Sequence, residues 1–263
     1  MSSKILETLS SPARARLSRR DLLGFAARGA ASVVVSQSAL LACAAGAAGA
    51  TDTSASTATG TTSTGASCVL TAALTEGPFF VDEKLNRSDI RTDPASGVVS
   101  AGIPLALTFN VSRVANSACT PLTSAYLDVW HCDSTGTYSD VSGSSRKFLR
   151  GYQITDANGV AAFTTIYPGW YSGRAVHIHF KLRLYAGSSK TYEFTSQFFF
   201  DDALTDSVYT QTPYSARGSR NTRNTSDGIY NGLSANDKVG LTLQTSSTAD
   251  GYSGVISLGV NVG

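Results

Sequence analysis

Histidine is scarce in this 263-residue chain, with three copies at His131, His177 and His179. Cysteine is nearly as scarce, with four. Zinc sites draw on several of one or both, so that class of site has little to build from. A basic face is missing as well. Six of the 21 Lys and Arg and two of the 19 Asp and Glu fall within residues 1–42, so the remainder carries a net charge of −2. Nothing in that balance favours nucleic acid. No Gly-x-Gly-x-x-Gly follows a strand, the turn that receives a dinucleotide pyrophosphate, so no nicotinamide or flavin site is expected. No long stretch holds a helical hydrophobic period, which excludes a helical bundle.

What is present at the N-terminus reads as an address. "SRRDLLGFAARGAASVVVSQSALLACAAG" sets Arg19 and Arg20 before a mildly apolar stretch, the order of a twin-arginine export signal over residues 1–42. The apolar part, rich in Ala, Ser and Gly, is too weak for a membrane span. Leu40-Leu41-Ala42-Cys43 resembles a lipobox. Two readings stand side by side: Cys43 carries lipid and tethers a lipoprotein to a membrane, or it leaves with the signal. Residues 43–67 form an Ala/Ser/Thr/Gly tract without aromatics, which cannot bury enough surface to offset its ordering entropy and reads as a flexible linker. Export permits disulfides. Cys119 and Cys132 bracket one extended segment, and at ~3.3 Å per residue its ends lie too far apart to be bridged. The expected pairing is Cys68 with Cys119, leaving Cys132 free.

Residues 68–263 read as one all-β domain. Short runs such as "IPLALTFNVSRV", "SAYLDVWHC", "GVAAFTTIY", "RAVHIHFKLRLY", "KTYEFTSQFFF", "VGLTLQT" and "GVISLGVNV" alternate apolar and polar residues, the period of a half-buried strand. Turn chemistry separates them, as at Asp156-Ala157-Asn158-Gly159 and Tyr185-Ala186-Gly187-Ser188. A β-sandwich with long loops and at most short helices buries this many strands. Residues 213–238 form a polar excursion, with a short helix expected near residues 234–239.

The two adjacent histidines fall in one of these runs. Alternate residues on a strand face the same way, so His177 and His179 project together, ~6–7 Å apart at Cβ, while Ile178 faces the sandwich. Bonds of ~2 Å let both imidazoles reach one metal ion. Tyr167 and Tyr171 lie just before them, and Tyr138 closes "HCDSTGTYSD". Phenolate is a hard oxygen donor suited to Fe(III). Two phenolates and a hydroxide balance that ion's charge, which limits the penalty of burying it. A cupin-type Fe(II) site also starts from His-x-His, but needs a carboxylate that this motif lacks.

The stretches "TEGPFF", "LDVWHCDSTGTYSD", "FLRGYQITDANGVAAFTTIYPGWYSGRAVHIHFK" and "TSQFFFDD" resemble the intradiol ring-cleavage dioxygenases, in particular an exported single-domain branch. The resemblance runs from about Cys68 to near the C-terminus. It implies a β-sandwich holding non-haem Fe(III) through Tyr138, Tyr171, His177 and His179, with Tyr167 as the alternative to Tyr171. It places a catalytic arginine at Arg174 and a pocket glutamine at Gln197. His131 is then a structural hydrogen-bonding residue, Trp130 belongs to the core, and nothing in the sequence assigns Glu76 a chemical role. The implied reaction cleaves a catechol-type ring between its two hydroxylated carbons with O2, giving a muconate-type dicarboxylate. A catechol loses two protons on chelating the metal, and a dissociable Tyr171 accepts one of them, serving as ligand and base. The competing class is a surface-tethered sandwich that binds without catalysing, since fold alone decides neither. A monomer is consistent with the chain, because no helical dimerisation region precedes Cys68.

Overall fold

The structure, a computed structural model, describes residues 69–141 and 143–263. The export signal, the linker, Cys43 and Cys68 of the sequence reading lie outside these residues. Nine strands are described: β1 (Pro104–Ala115), β2 (Ala118–Pro121), β3 (Tyr126–Trp130), β4 (Arg150–Ile154), β5 (Val160–Ile166), β6 (His177–Ala186), β7 (Ser189–Phe199), β8 (Gln244–Ser247) and β9 (Tyr252–Val260). They form two sheets. In one, β1 pairs antiparallel with β2 and β5 and parallel with β9, and β8 lies beyond β9. The other has the antiparallel order β4-β3-β6-β7. This is the expected all-β sandwich.

The alternation read from the sequence sets which side chains meet between the sheets. In β6, Ile178, Phe180 and Leu182 are fully buried against the opposing sheet. Phe109 of β1 sits at the centre of the core, its ring 5.9 Å from Phe163, 5.8 Å from Phe180 and 5.9 Å from Phe198. These edge-on contacts add to the roughly 1.5–3 kcal/mol that burying one such side chain contributes.

Turn chemistry ends the strands where expected. Between β4 and β5, Asp156 Oδ1 accepts from the backbone N–H of Asn158 and of Val160, both at 2.8 Å. Gly159 has φ +74°, and a Cβ there would stand 2.3 Å from the Val111 carbonyl oxygen. Only glycine fits this turn.

Three short helices interrupt the β pattern: α1 (Asp202–Val208), α2 (Gly228–Asn231) and α3 (Ala235–Leu241). The last is the helix expected near residues 234–239, capped by the Ser234 side chain on the Asp237 N–H. Its extent corrects the reading of "VGLTLQT" as one strand: Val239, Gly240 and Leu241 are helical, and β8 begins only at Gln244. The cap at Ser234, five residues upstream of Val239, outweighs a short alternating run. Helix α1 was not foreseen, because seven residues are too few to register a helical period; its one local signal is the Asp201 side chain accepting from the Leu204 N–H.

Cys119 is disulfide-bonded and Cys132 is a free, buried thiol, as expected; Cys68, the expected partner, is outside the described residues. Cys132 donates to the Gly169 carbonyl at 3.4 Å.

The aromatic knot at Phe109 generates a stability prediction. Phe109→Ala should lower unfolding free energy by about 3–5 kcal/mol, read from urea denaturation. A loss below about 1 kcal/mol would mean that the two sheets do not meet at this ring.

Candidate active site

The face of β6 opposite Ile178 and Phe180 carries His177, His179, Lys181 and Arg183, all buried. A polar row on a sheet face stays dry only if something covers it. The segment through residues 75–82 does so, held by charge: Glu76 and Glu193 pair with Lys181, whose ammonium lies 3.9 Å from the centre of the Phe80 ring. Asp82 and Asp128 pair with Arg183. Glu76, left without a role by the sequence, is thus one anchor of the cover.

Strand register fixes the neighbours of the histidines. His179 stands opposite Trp130 on β3 and Gln197 on β7. The Trp130 ring stacks on His179 at 5.0 Å, so this tryptophan packs against the site rather than between the sheets. His177 Nδ1–H donates to the Ala175 carbonyl at 2.6 Å. That leaves its Nε2 lone pair free to face His179 Nε2 at 3.0 Å. Burial, reinforced by the nearby Arg174 charge, depresses His177 to about 3. Burial also holds His179 well below the usual histidine range, with His177 and Arg174 adding to the effect. Both rings are therefore neutral at physiological pH and able to act as lone-pair donors.

Tyr138 reaches the same point from the loop after β3. Asp133 Oδ1 accepts from the N–H of Thr135 and of Thr137, at 2.8 and 3.0 Å, and from the Thr135 hydroxyl. Gly136 permits the close approach to residue 170: a Cβ on it would lie 2.1 Å from the Trp170 carbonyl oxygen. Tyr138 stacks on Phe79 at 4.2 Å, with Tyr171 at 5.8 Å and His179 at 6.4 Å from its ring centre. Its hydroxyl is buried and, among the described residues, has at most the Tyr171 phenol as a hydrogen-bond partner. Tyr171, half-exposed on the loop before β6, brings its hydroxyl to 3.2 Å from His177 Nε2. Burial raises both phenols, Tyr138 strongly. The Arg174 charge opposes the rise at each.

These four side chains converge, and they fit a hard multivalent cation. Two nitrogens 3.0 Å apart match two bonds of ~2.1 Å meeting at about a right angle. The Tyr138 hydroxyl is a buried oxygen short of partners, and a cation would reverse the preference of both phenols for the neutral form. Among the described residues no three His, Cys, Asp or Glu side chains converge on one point, so the carboxylate-containing set of a cupin-type site is not assembled.

Tyr167, the alternative, lies elsewhere. It is fully buried in the main core, packed on Phe200, with its hydroxyl 2.7 Å from Thr205 Oγ1. The structure brings Tyr171, not Tyr167, to the histidines. His131 is engaged at both nitrogens, Nδ1–H donating to the Cys132 carbonyl at 2.8 Å and Nε2 accepting from the Thr165 hydroxyl at 2.7 Å. It is the hydrogen-bonding residue expected.

Arg174 lies beside the cluster. Its Nε donates to Asp227 at 2.9 Å and its Nη2 to Gln197 Oε1. Gln197 is fully buried, with its amide 3.4 Å from the Thr75 carbonyl. Three participants escaped the sequence reading. Asp227 sits in what read as a polar excursion. Arg150, on the unforeseen strand β4, donates to Ser139 and to the Phe79 carbonyl, tying the Tyr138 loop to the cover. Phe79 walls an open cavity of about 480 Å³ with Thr137, Tyr138, Val141, Ser144 and Tyr171. The "TEGPFF" motif was the one available signal for Phe79. Long-range pairing of the other two left no local trace.

Comparison with known proteins agrees with this fold. The family model described as Dioxygenase matches residues 75–217, more than half of the chain. An intradiol ring-cleavage dioxygenase from Tetranychus urticae superposes with a TM-score of 0.63 at 29% identity, covering 74% of this chain and 95% of that one. The dioxygenase domain of a dioxygenase carbohydrate-binding protein fusion from Streptomyces sp. SirexAA-E gives a TM-score of 0.53 at 29% identity, covering 74% and 100%. The 3-chlorocatechol 1,2-dioxygenase of Rhodococcus opacus 1CP shares the fold, with a TM-score of 0.52 at 19% identity over 73% of each chain. A search of curated proteins finds no match. The chain belongs to the intradiol ring-cleavage dioxygenase family.

The two tyrosines separate cleanly by experiment. Tyr167→Phe should cost about 0.5–1.5 kcal/mol in thermal unfolding, the worth of one hydrogen bond, and leave the imidazole NMR signals of His177 and His179 in place. Tyr171→Phe should shift the His177 signals with little effect on stability. The reverse pattern would move the site toward Tyr167.

Proposed function

We propose that this chain is a non-haem Fe(III) dioxygenase that cleaves a catechol-type ring between its two hydroxylated carbons, consuming O2 and giving a muconate-type dicarboxylate. The observation that carries the reading is the convergence of two neutral imidazoles, one buried phenol and one half-exposed phenol beside a cavity. Tyr138, Tyr171, His177 and His179 would hold the ion. Ferric iron bound there supplies a seat for both catechol oxygens and makes the ring reactive toward O2.

The protein's own groups do the rest. Tyr171 is the more exposed of the two phenols and lines the cavity, so its oxygen is the one placed to accept a substrate proton. Tyr138, buried and stacked on Phe79, stays as the permanent oxygen donor. Arg174 offers a fixed positive charge where negative charge develops on the ring, and Gln197 holds its far edge. Phe79 and Val141 give the aromatic ring an apolar wall. In the same reading, the twin-arginine signal exports the folded chain, and the reaction takes place outside the cytoplasm.

Colour and oxygen uptake test this. The protein supplied with ferric iron should bind about one ion per chain and turn reddish, because phenolate bound to ferric iron absorbs visible light. Tyr138→Phe and Tyr171→Phe should each weaken that absorption. Oxygen electrode traces with catechol, protocatechuate, hydroxyquinol and larger lignin-related catechols should show uptake with at least one of them, matched by ring-opened dicarboxylate. A preparation that stays colourless and iron-poor after reconstitution would sink the reading and leave a binding sandwich in its place.

A further inference from the structure

Asp227 lies about fifty residues beyond the histidines, in a segment that contributes nothing else to the cluster. Its side chain is fully buried at the start of α2. The two carboxylate oxygens have separate work. Oδ1 accepts from the backbone N–H of Ile229 at 2.7 Å and of Tyr230 at 3.1 Å, capping the helix. Oδ2 turns the other way and accepts from Arg174 Nε at 2.9 Å and from the Ala175 N–H at 2.7 Å. The Ala175 carbonyl in turn receives the Nδ1–H of His177.

A helix cap needs only the first oxygen, and Asn or Ser would supply it equally well. The second oxygen is what a cap does not explain. Arginine is a long side chain with several rotatable bonds, and one contact does not aim it. Arg174 has two contacts, Asp227 at Nε and Gln197 at Nη2, and together they fix the guanidinium plane. Nη1 makes no hydrogen bond to the described residues. Burying a carboxylate here is tolerable because four N–H donors, one of them charged, surround it.

We propose that Asp227 is a positioning residue that aims Arg174 at the substrate-binding side of the cluster. How Arg174 is held stands on geometry alone; what Arg174 then does to a catechol rests on the ring-cleaving reading above.

Asp227→Asn keeps the capping oxygen and replaces the other with an amide that cannot accept from both Arg174 and Ala175. Asp227→Ser, which also caps, serves if the Asn variant does not fold. The first readout needs no iron and no activity. The Arg174 Nε–H signal, identified by its loss in Arg174→Lys, should exchange with water about tenfold faster in either variant than in the parent protein. The second readout is turnover of the iron-loaded full chain. Iron content and visible absorption should stay at the parent level, KM should change little, and kcat should fall roughly 10- to 100-fold, the cost of a misaimed group. In an Arg174→Lys background the same substitution should cost less than about threefold.

Unchanged Nε–H exchange would overturn the proposal. So would an equal kcat loss in the Arg174→Lys background, a loss of iron, or failure of both variants to fold, since each makes Asp227 a structural residue. If the parent protein oxidises no catechol, the ring-cleaving reading fails and Nε–H exchange alone decides whether Asp227 holds Arg174.

Discussion

The site depends on the two-residue period of strand β6. Successive side chains on a strand face opposite ways, so one strand serves two environments. Ile178, Phe180 and Leu182 enter the core, and His177 and His179 turn to the other face. Because β6 lies between β3 and β7, His179 is anchored from both sides and His177 from β7, and their ε-nitrogens hold a 3.0 Å separation. A slip of one residue in register would send the imidazoles into the sandwich and the phenylalanine into the cluster. The same core packing that stabilises the domain therefore sets the donor geometry.

Burial is the second constraint, and it cuts both ways. Covering the polar face of β6 with residues 75–82 keeps both imidazoles neutral and both phenols protonated. A dry pocket of this kind strengthens any charge placed in it. The cover stays down because its own charges are paired with Lys181 and Arg183 at the remote end of the strand. Arg174, paired with Asp227, lies beside the cluster, and its field lowers the proton affinity of all four donors. Water exclusion, donor preparation and a single oriented positive charge are thus one arrangement.

Much of this was legible in residue order. Period-two alternation marked most of the strands, Asp156 to Gly159 marked a turn, and Ser234 marked a helix start. His-x-His on a strand implied two convergent rings, and the motif around Tyr138 implied a third donor. Other features left no local mark. Helix α1 is too short to show a period, and "VGLTLQT" alternates like a strand although a cap upstream makes half of it helical. Tyr167 and Tyr171 were the hardest pair to separate. Both lie on one short segment before the histidines, and nothing nearby says which hydroxyl turns inward.

Side-chain periodicity and turn chemistry act over a few residues, so linear order was enough for the sandwich, the histidine pair and the loop bearing Tyr138. Partner choice across the chain required the fold. Tyr167 is taken into the core because Thr205, on a helix far along the chain, waits for its hydroxyl. Arg174 is aimed by Asp227, and the Tyr138 loop is tied to Phe79 by Arg150. Those contacts join segments whose separation exceeds any local pattern, and closing the two sheets against each other is what brings them together.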